Sequence, residues 1–230
     1  MPELVLSPLA WAKKTFAGVQ LGDRRRTNRL LTVAAGMMRR PAETLPNQLR
    51  GRASTTAAYR LLAQDELTHP VLLMPHFEQT RIAAAKHDIV LLVQDTTQLD
   101  YTNHPATTGL GPIGDNKGRG FLLQSVLAIA PHEEQLLGIA QQEVFTRQPA
   151  PADESRIERV RRARESQAWC RAVDAIGAPS PSGAATWVHV GDRYSDFYEF
   201  MVAARRNNTH FLLRAAQDRR VQLPDSSAAQ

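Results

Sequence analysis

Through the first third of the chain apolar residues recur every three to four positions; beyond it they gather into short runs. Helical spacing puts Leu9, Ala12, Phe16 and Val19 on one face, and Ser7 followed by Pro8 supplies a cap and a first-turn proline. Asp23 is placed to cap a second helix with an inner stripe of Leu30, Leu31, Ala34 and Met38, stopped by Pro41. After a loop through PAETLPNQLRGR, Ser54 is expected to open a third helix carrying Ala58, Leu61 and Leu62. Thr68 is expected to open a fourth, with Leu72, Leu73, Phe77 and Thr80 facing inward.

From about residue 88 the period changes. Ile89–Val93, Leu122–Ala130 and Leu136–Phe145 read as strands, the last two joined as a hairpin by PHEEQ. A long helix follows, opened by a capping-box pair at Ser155 and Glu158, closed by Gly177 and Pro179, and with Trp169, Val173 and Ile176 as its core face. The basic run RIERVRRARES reads as the solvated side of that helix. A strand at Thr186–Val190, a short helix carrying Phe197, Phe200, Met201 and Ala204, and a strand at Phe211–Leu213 complete a β-β-β-α-β-α-β order. This is a mixed α/β layout without internal repeats, and it matches the ribonuclease H-like core, in which three antiparallel strands lead into helix-crossed parallel ones. Fold analogy alone does not assign function, so the residues at the strand ends decide.

Charge adds a second division. Residues 1–64 carry 11 Lys and Arg against 3 Asp and Glu, a net +8, whereas residues 65–230 carry 17 against 20, a net −3. A basic head on a near-neutral body fits a polyanion-binding module joined to a working domain, with nucleic acid as the leading partner. Hydrophobic content of 43% is ample for a core. No apolar stretch reaches the length of a membrane span, and MPELVLSPLA lacks the features of a signal peptide. The single cysteine, Cys170, excludes an intrachain disulfide framework and a cysteine-rich zinc site, and together these features favour a reducing cytoplasm.

Two strand ends carry an acid: Asp95 after IVLLVQ and Asp192 after TWVHVG, 97 positions apart. Each alone reads better as a turn or cap residue. Together, at neighbouring strand ends, they would share one cleft, and carboxylates are the natural protein ligands of Mg²⁺ when phosphate oxygens and water complete the shell. Two such ions stabilise both the attacking and the leaving oxygen of an in-line phosphoryl displacement. The glycine-rich GLGPIGDNKGRG lacks the lysine–hydroxyl ending of a P-loop and reads as a mobile loop in which Lys117 and Arg119 could meet phosphate. The seven histidines lack zinc-helix spacing, and Ser125 with His132 has no third member for a nucleophile site. Arg24, Arg25 and Arg26 cluster at a helix start, where cations oppose the helix dipole, and Arg29 follows one turn on, which points to phosphate contact.

These segments resemble a known family, the DDE transposases of the insertion-sequence-four group, nearest to the transposon-five type. The resemblance runs in order through WAKKTFAGVQLGDRRRTNRL, AAYRLL, QDTTQLDYT, GLGPIGDNKGRGFLLQSVLAI, ESQAW, VGDRYSDFYEF and HFLLRAA. It implies a helical transposon-end DNA-binding domain over residues 1–67, a linking helix over 68–87, a ribonuclease H-like catalytic core over 88–216 and a disordered tail over 217–230. It assigns end-DNA contact to Arg25, Arg26 and Arg29, and catalysis and metal binding to Asp95 in the D-T-T motif and Asp192 opening D-R-x-x-D. It further implies two Mg²⁺ or Mn²⁺ ions, double-stranded transposon-end DNA as partner, no membrane, and homodimers.

The family's third acid, a glutamate in a Y-x-x-R-x-x-x-E helix, has no counterpart before Gln230; Asp218 and Asp225 come too soon and lack the tyrosine–arginine frame. The resemblance therefore implies the front part of a transposase, without the dimerisation region, from a decayed gene, a frameshifted product or an incomplete record, and inactive in transposition by itself. The competing reading is a non-enzymatic DNA-binding regulator whose α/β body serves oligomerisation or ligand sensing and whose aspartates are ordinary caps.

Overall fold

The computed structural model describes residues 6–148, 153, 155, 164–179 and 185–220. The head is built from α1 (Pro8–Phe16), α2 (Arg24–Arg39), a short α3 (Leu45–Leu49) and α4 (Arg52–Leu62). Ser7 caps α1 through Ala10 N, and Asp23 caps α2 through Arg25 N at 2.7 Å, so the sequence signals at both starts hold. Two starts differ from expectation. PAETLPNQLRGR contains α3, in which Leu45 and Pro46 open a turn rather than a loop. α4 begins at Arg52 behind Gly51, not at Ser54, because Arg50 in the left-handed region ends α3 and turns the chain directly into α4.

Two apolar clusters hold the head: Ala12, Leu31, Ala34 and Ala35 with Trp11 and Phe16, and Val19, Leu21, Leu30 and Leu61 with Val71 and Leu72. Val71 and Leu72 belong to α5 (His69–Ala84), which Thr68 caps. This helix is sandwiched. Gln79 donates to Lys14 O at 2.6 Å on the head side, while Phe77, Thr80 and Ala84 are buried toward the body. Burial on two sides explains why its apolar residues form no single clean stripe.

The body is a six-stranded sheet of β1 (Ile89–Asp100), β2 (Gly111–Ile113), β3 (Gly118–Ala130), β4 (Gln135–Phe145), β5 (Thr186–Gly191) and β6 (His210–Leu213). Its path runs β2-β3-β1-β5-β6, with β4 paired to β3 beyond β2. The β1–β3 and β3–β4 pairings are antiparallel; β5 pairs with β1 in parallel, and β6 with β5. Two strands outrun expectation. β1 continues through Asp95 to Asp100, and the glycine-rich loop is a small hairpin of β2 against the start of β3. Gly120 allows that close approach: a Cβ there would meet Leu99 O at 2.0 Å.

Between the strands lie α6 (Gln167–Ile176) and α7 (Tyr198–Arg206). The expected helix is shorter among the described residues, where 164–166 are not helical and α6 opens at Gln167; Glu158 of its capping pair, the run 156–163 and the tail 221–230 lie outside the described residues. Trp169, Val173 and Ile176 are buried as their spacing demands, and burying Val173 and Ile176 contributes roughly 1.5–3 kcal/mol each. α5, α6 and α7 all cover the sheet face that carries Val90, Leu92, Trp187 and Phe211. The opposite face carries Leu91, Val93, Val188 and Val190 half-buried, and Leu212 is 63% exposed there. Among the described residues no helix is long and apolar enough to cross a membrane.

Candidate functional site

β1 and β5 pair in parallel from Ile89↔Thr186 to Val93↔Val190, an offset of 97 positions at every pair. That is also the spacing between Asp95 and Asp192. The register thus carries the two acids to equivalent levels just past the last paired residues, where β5 turns away and a cleft opens. Both line that cleft, of ≈ 590 Å³. Asp95 sits inside a continuous strand, so it is neither a cap nor a turn residue; it is exposed, and its carboxylate has no hydrogen bond or ion pair among the described residues. Asp192 does cap a turn: its Oδ1 accepts from Tyr194 N at 2.9 Å, which leaves Oδ2 unengaged among the described residues.

The turn at Asp192 depends on its neighbours. Ser195 is fully buried and donates to Asp192 O at 2.6 Å. Gly191 must be glycine, because a Cβ would lie 2.3 Å from Ser195 Oγ and 2.9 Å from its Cβ. The second aspartate of D-R-x-x-D points elsewhere: Asp196 accepts from Ala216 N at 2.6 Å and Gln217 N at 2.9 Å and pairs with Arg219. Those backbone donors first, and Arg219 after them, hold its carboxyl below the usual range. Asp196 therefore anchors the chain leaving β6 and frees Asp192 for the cleft.

The cleft also contains groups the sequence did not single out: Thr96, Gln98, Arg147, Glu165 and Tyr194. Arg147 donates Nε and Nη2 to Glu165 Oε2 at 2.9 and 2.8 Å, and Nη1 to Gly114 O at 3.1 Å. The pair ties the start of α6 to the β2–β3 hairpin. Tyr194 is 83% exposed beside Asp192. Glu165 was legible only as part of the solvated helix face, since nothing local marks its partner 18 residues upstream. Among the described residues no group of three or more His, Cys, Asp or Glu is arranged to hold a metal. What the cleft does offer is two carboxylates at the ends of adjacent parallel strands, the oxygen donors that divalent ions take.

In the head, Arg25, Arg26 and Arg29 line a shallow groove with Asp23, Arg60 and Gln64. The structure brings all three expected arginines together and adds Arg60 from α4, a residue hidden in sequence because its group forms only when α2 packs on α4. Arg26 is partly held back: it reaches Glu66 at 3.5 Å and Leu21 O at 3.5 Å. Arg25 and Arg29 have no such side-chain anchor among the described residues.

Residues 8–67 match the family model described as transposase DNA-binding. These are the head helices and the groove just described. Among solved structures the chain is similar to a Mos1 transposase paired-end complex with left transposon end, at 15% identity over 80% of this chain. The TM-score is 0.27 and the match spans 58% of that chain's length, too loose a superposition to carry the fold of the body.

Proposed function

We propose that this chain is a transposase-type protein whose head binds transposon-end DNA and whose body is a ribonuclease H-like core for divalent-ion-dependent DNA strand cleavage and transfer. The observation that carries the proposal is the β1–β5 register, which delivers Asp95 and Asp192 to one cleft from adjacent parallel strands. The sheet supports it: β1, β2, β3 and β4 pair antiparallel, then β5 joins β1 and β6 joins β5 in parallel. The DNA-binding family match over residues 8–67 supports the head's role.

In this reading Asp95 and the free oxygen of Asp192 would hold Mg²⁺ or Mn²⁺, which would supply positive charge for the phosphate oxygens of the DNA strand. Arg25, Arg29 and Arg60 take backbone phosphates and position the duplex. Two-ion chemistry needs a further free acid, and Glu165 is committed to Arg147. Metal binding with little cleavage is therefore the expected behaviour of these residues.

Fluorescence anisotropy with a labelled DNA duplex tests the arrangement. Mg²⁺ weakens the head's phosphate contacts equally in the wild type and in Asp95→Asn, so the difference between them isolates the cleft. The wild type should hold DNA more tightly than Asp95→Asn in Mg²⁺, and more weakly without it, where the bare carboxylate repels phosphate. Identical affinities under both conditions would leave a DNA-binding protein whose aspartates are structural.

A further inference from the structure

Behind Asp95 lies a chain of buried polar side chains with no counterpart in ordinary strand packing. Gln94, Gln124 and His189 are 3%, 1% and 0% exposed, deep enough that each polar group needs a partner. They stand on the helix-covered face, opposite to Asp95, and cross three strands: Gln124 on β3, Gln94 on β1 and His189 on β5. Thr96, half-buried and lining the cleft, completes the row. The cross-strand pair Thr96↔Gln124 and the diagonal neighbours Gln94 and His189 make it continuous.

The donors all run one way. Thr96 Oγ1 donates to Gln124 Oε1; Gln124 Nε2 donates to Gln94 Oε1 at 3.2 Å; Gln94 Nε2 meets His189 Nδ1 at 2.8 Å. Each amide has its oxygen occupied by the preceding donor, so its nitrogen must face the next member. In this direction the last link makes His189 Nδ1 an acceptor, with the ring proton on Nε2, a buried atom without a partner among the described residues. Burial also lowers the imidazole pKa to about 4, in keeping with a neutral ring. Hydrogen bonds in such a chain polarise and strengthen one another. A reversed chain is chemically possible: His189 Nδ1–H would donate to Gln94, Gln94 to Gln124 and Gln124 to Thr96. The two directions differ at the cleft. In the first the Thr96 proton is spent inward and its oxygen presents lone pairs outward; in the second its proton is free to face the cleft.

We propose that His189 is a positioning residue that acts through Gln94 and Gln124 to fix Thr96 as a hydrogen-bond acceptor toward the cleft. Thr96 then takes a donor, an attacking water or sugar hydroxyl, in preference to a phosphate oxygen. This role rests on reading the cleft as a DNA strand-cleavage site; the relay itself does not.

NMR on the full-length chain tests both parts. Long-range ¹H–¹⁵N spectra should find His189 neutral with its proton on Nε2, and Thr96→Val should shift the side-chain amides of Gln124 and Gln94 and the His189 Nδ1 signal. His189→Leu should move the same amides and the Thr96 methyl resonance, while His189→Asn, which keeps an acceptor near the Nδ1 position, returns them toward the wild-type values. A merely structural histidine would lower stability without that graded rescue. A proton on His189 Nδ1, or a Thr96→Val effect that stops at Gln124, overturns the relay. Mn²⁺ added to the wild type should broaden Thr96 and Asp95 signals. A relay that behaves as expected without that broadening overturns the positioning role along with the cleavage reading and leaves only the buried network.

Discussion

Gly191 is the residue in β5 on which the carboxylate geometry leans most. A methyl group at position 191 would strike Ser195, which is fully buried and cannot swing away. Gly191→Ala is expected to cost about 1–3 kcal/mol in urea unfolding and to weaken metal binding beyond what the stability loss explains, because Asp192 sits on the displaced turn. His189 makes a separate prediction. Its folded pKa is about 4 against 6.5 for the free side chain, so between those values the unfolded chain binds a proton that the folded chain refuses. Stability is full above pH 6.5 and falls as pH drops toward 4, by on the order of 3 kcal/mol at most from this group. Urea midpoints across that range should fall less steeply for His189→Asn than for the wild type. At this scale the sequence was partly legible. IVLLVQDTTQL announced an acid that strand burial does not need, but the partnership of Gln94, Gln124 and His189 across 95 positions exists only once the register is set.

Among the elements, those with strong local signals were readable and those made by packing were not. Caps at Ser7, Asp23 and Thr68 and the core stripe of α6 follow from short-range chemistry. The start of α4 and the short α3 turn on the left-handed backbone of Arg50, which composition does not signal. The β2–β3 hairpin reads in sequence as a mobile loop because its glycines are there for close approach, Gly120 to Leu99 above all, and not for freedom. The α2–α4 groove is the functional case. Arg25, Arg29 and Arg60 present three guanidinium groups along one groove, each suited to a backbone phosphate. Changing all three to alanine should flatten the log–log salt dependence of DNA binding by about 2–3 and weaken binding several-hundred-fold or more at low salt, with Arg26→Ala alone doing less because Glu66 competes for it. An unchanged slope would move the DNA-contacting surface away from this groove.

Taken whole, the molecule couples a basic head to a sheet through α5, which touches both. Head and body are read from different physics: the head from charge and helical spacing, the body from the change to strand patterning near residue 88. The order β-β-β-α-β-α-β was legible except for the short β2, which adds a fourth strand before α6, and so was the 97-residue spacing of the acids, which the parallel register turns from a coincidence into an address. What the sequence did not disclose is the setting of the pair: Asp192 shares its carboxylate with a turn, Asp196 serves the chain after β6, and Glu165 enters the cleft locked to Arg147. The most direct measurement is a Mn²⁺ titration of the full-length chain followed by electron paramagnetic resonance of the free ion. Saturable binding that weakens at least about tenfold in Asp95→Asn and in Asp192→Asn, but not in Asp115→Asn on the exposed β2–β3 turn, is the predicted result. Binding that survives both substitutions, or no saturable binding in the wild type, would contradict the assignment of this carboxylate pair to a divalent ion.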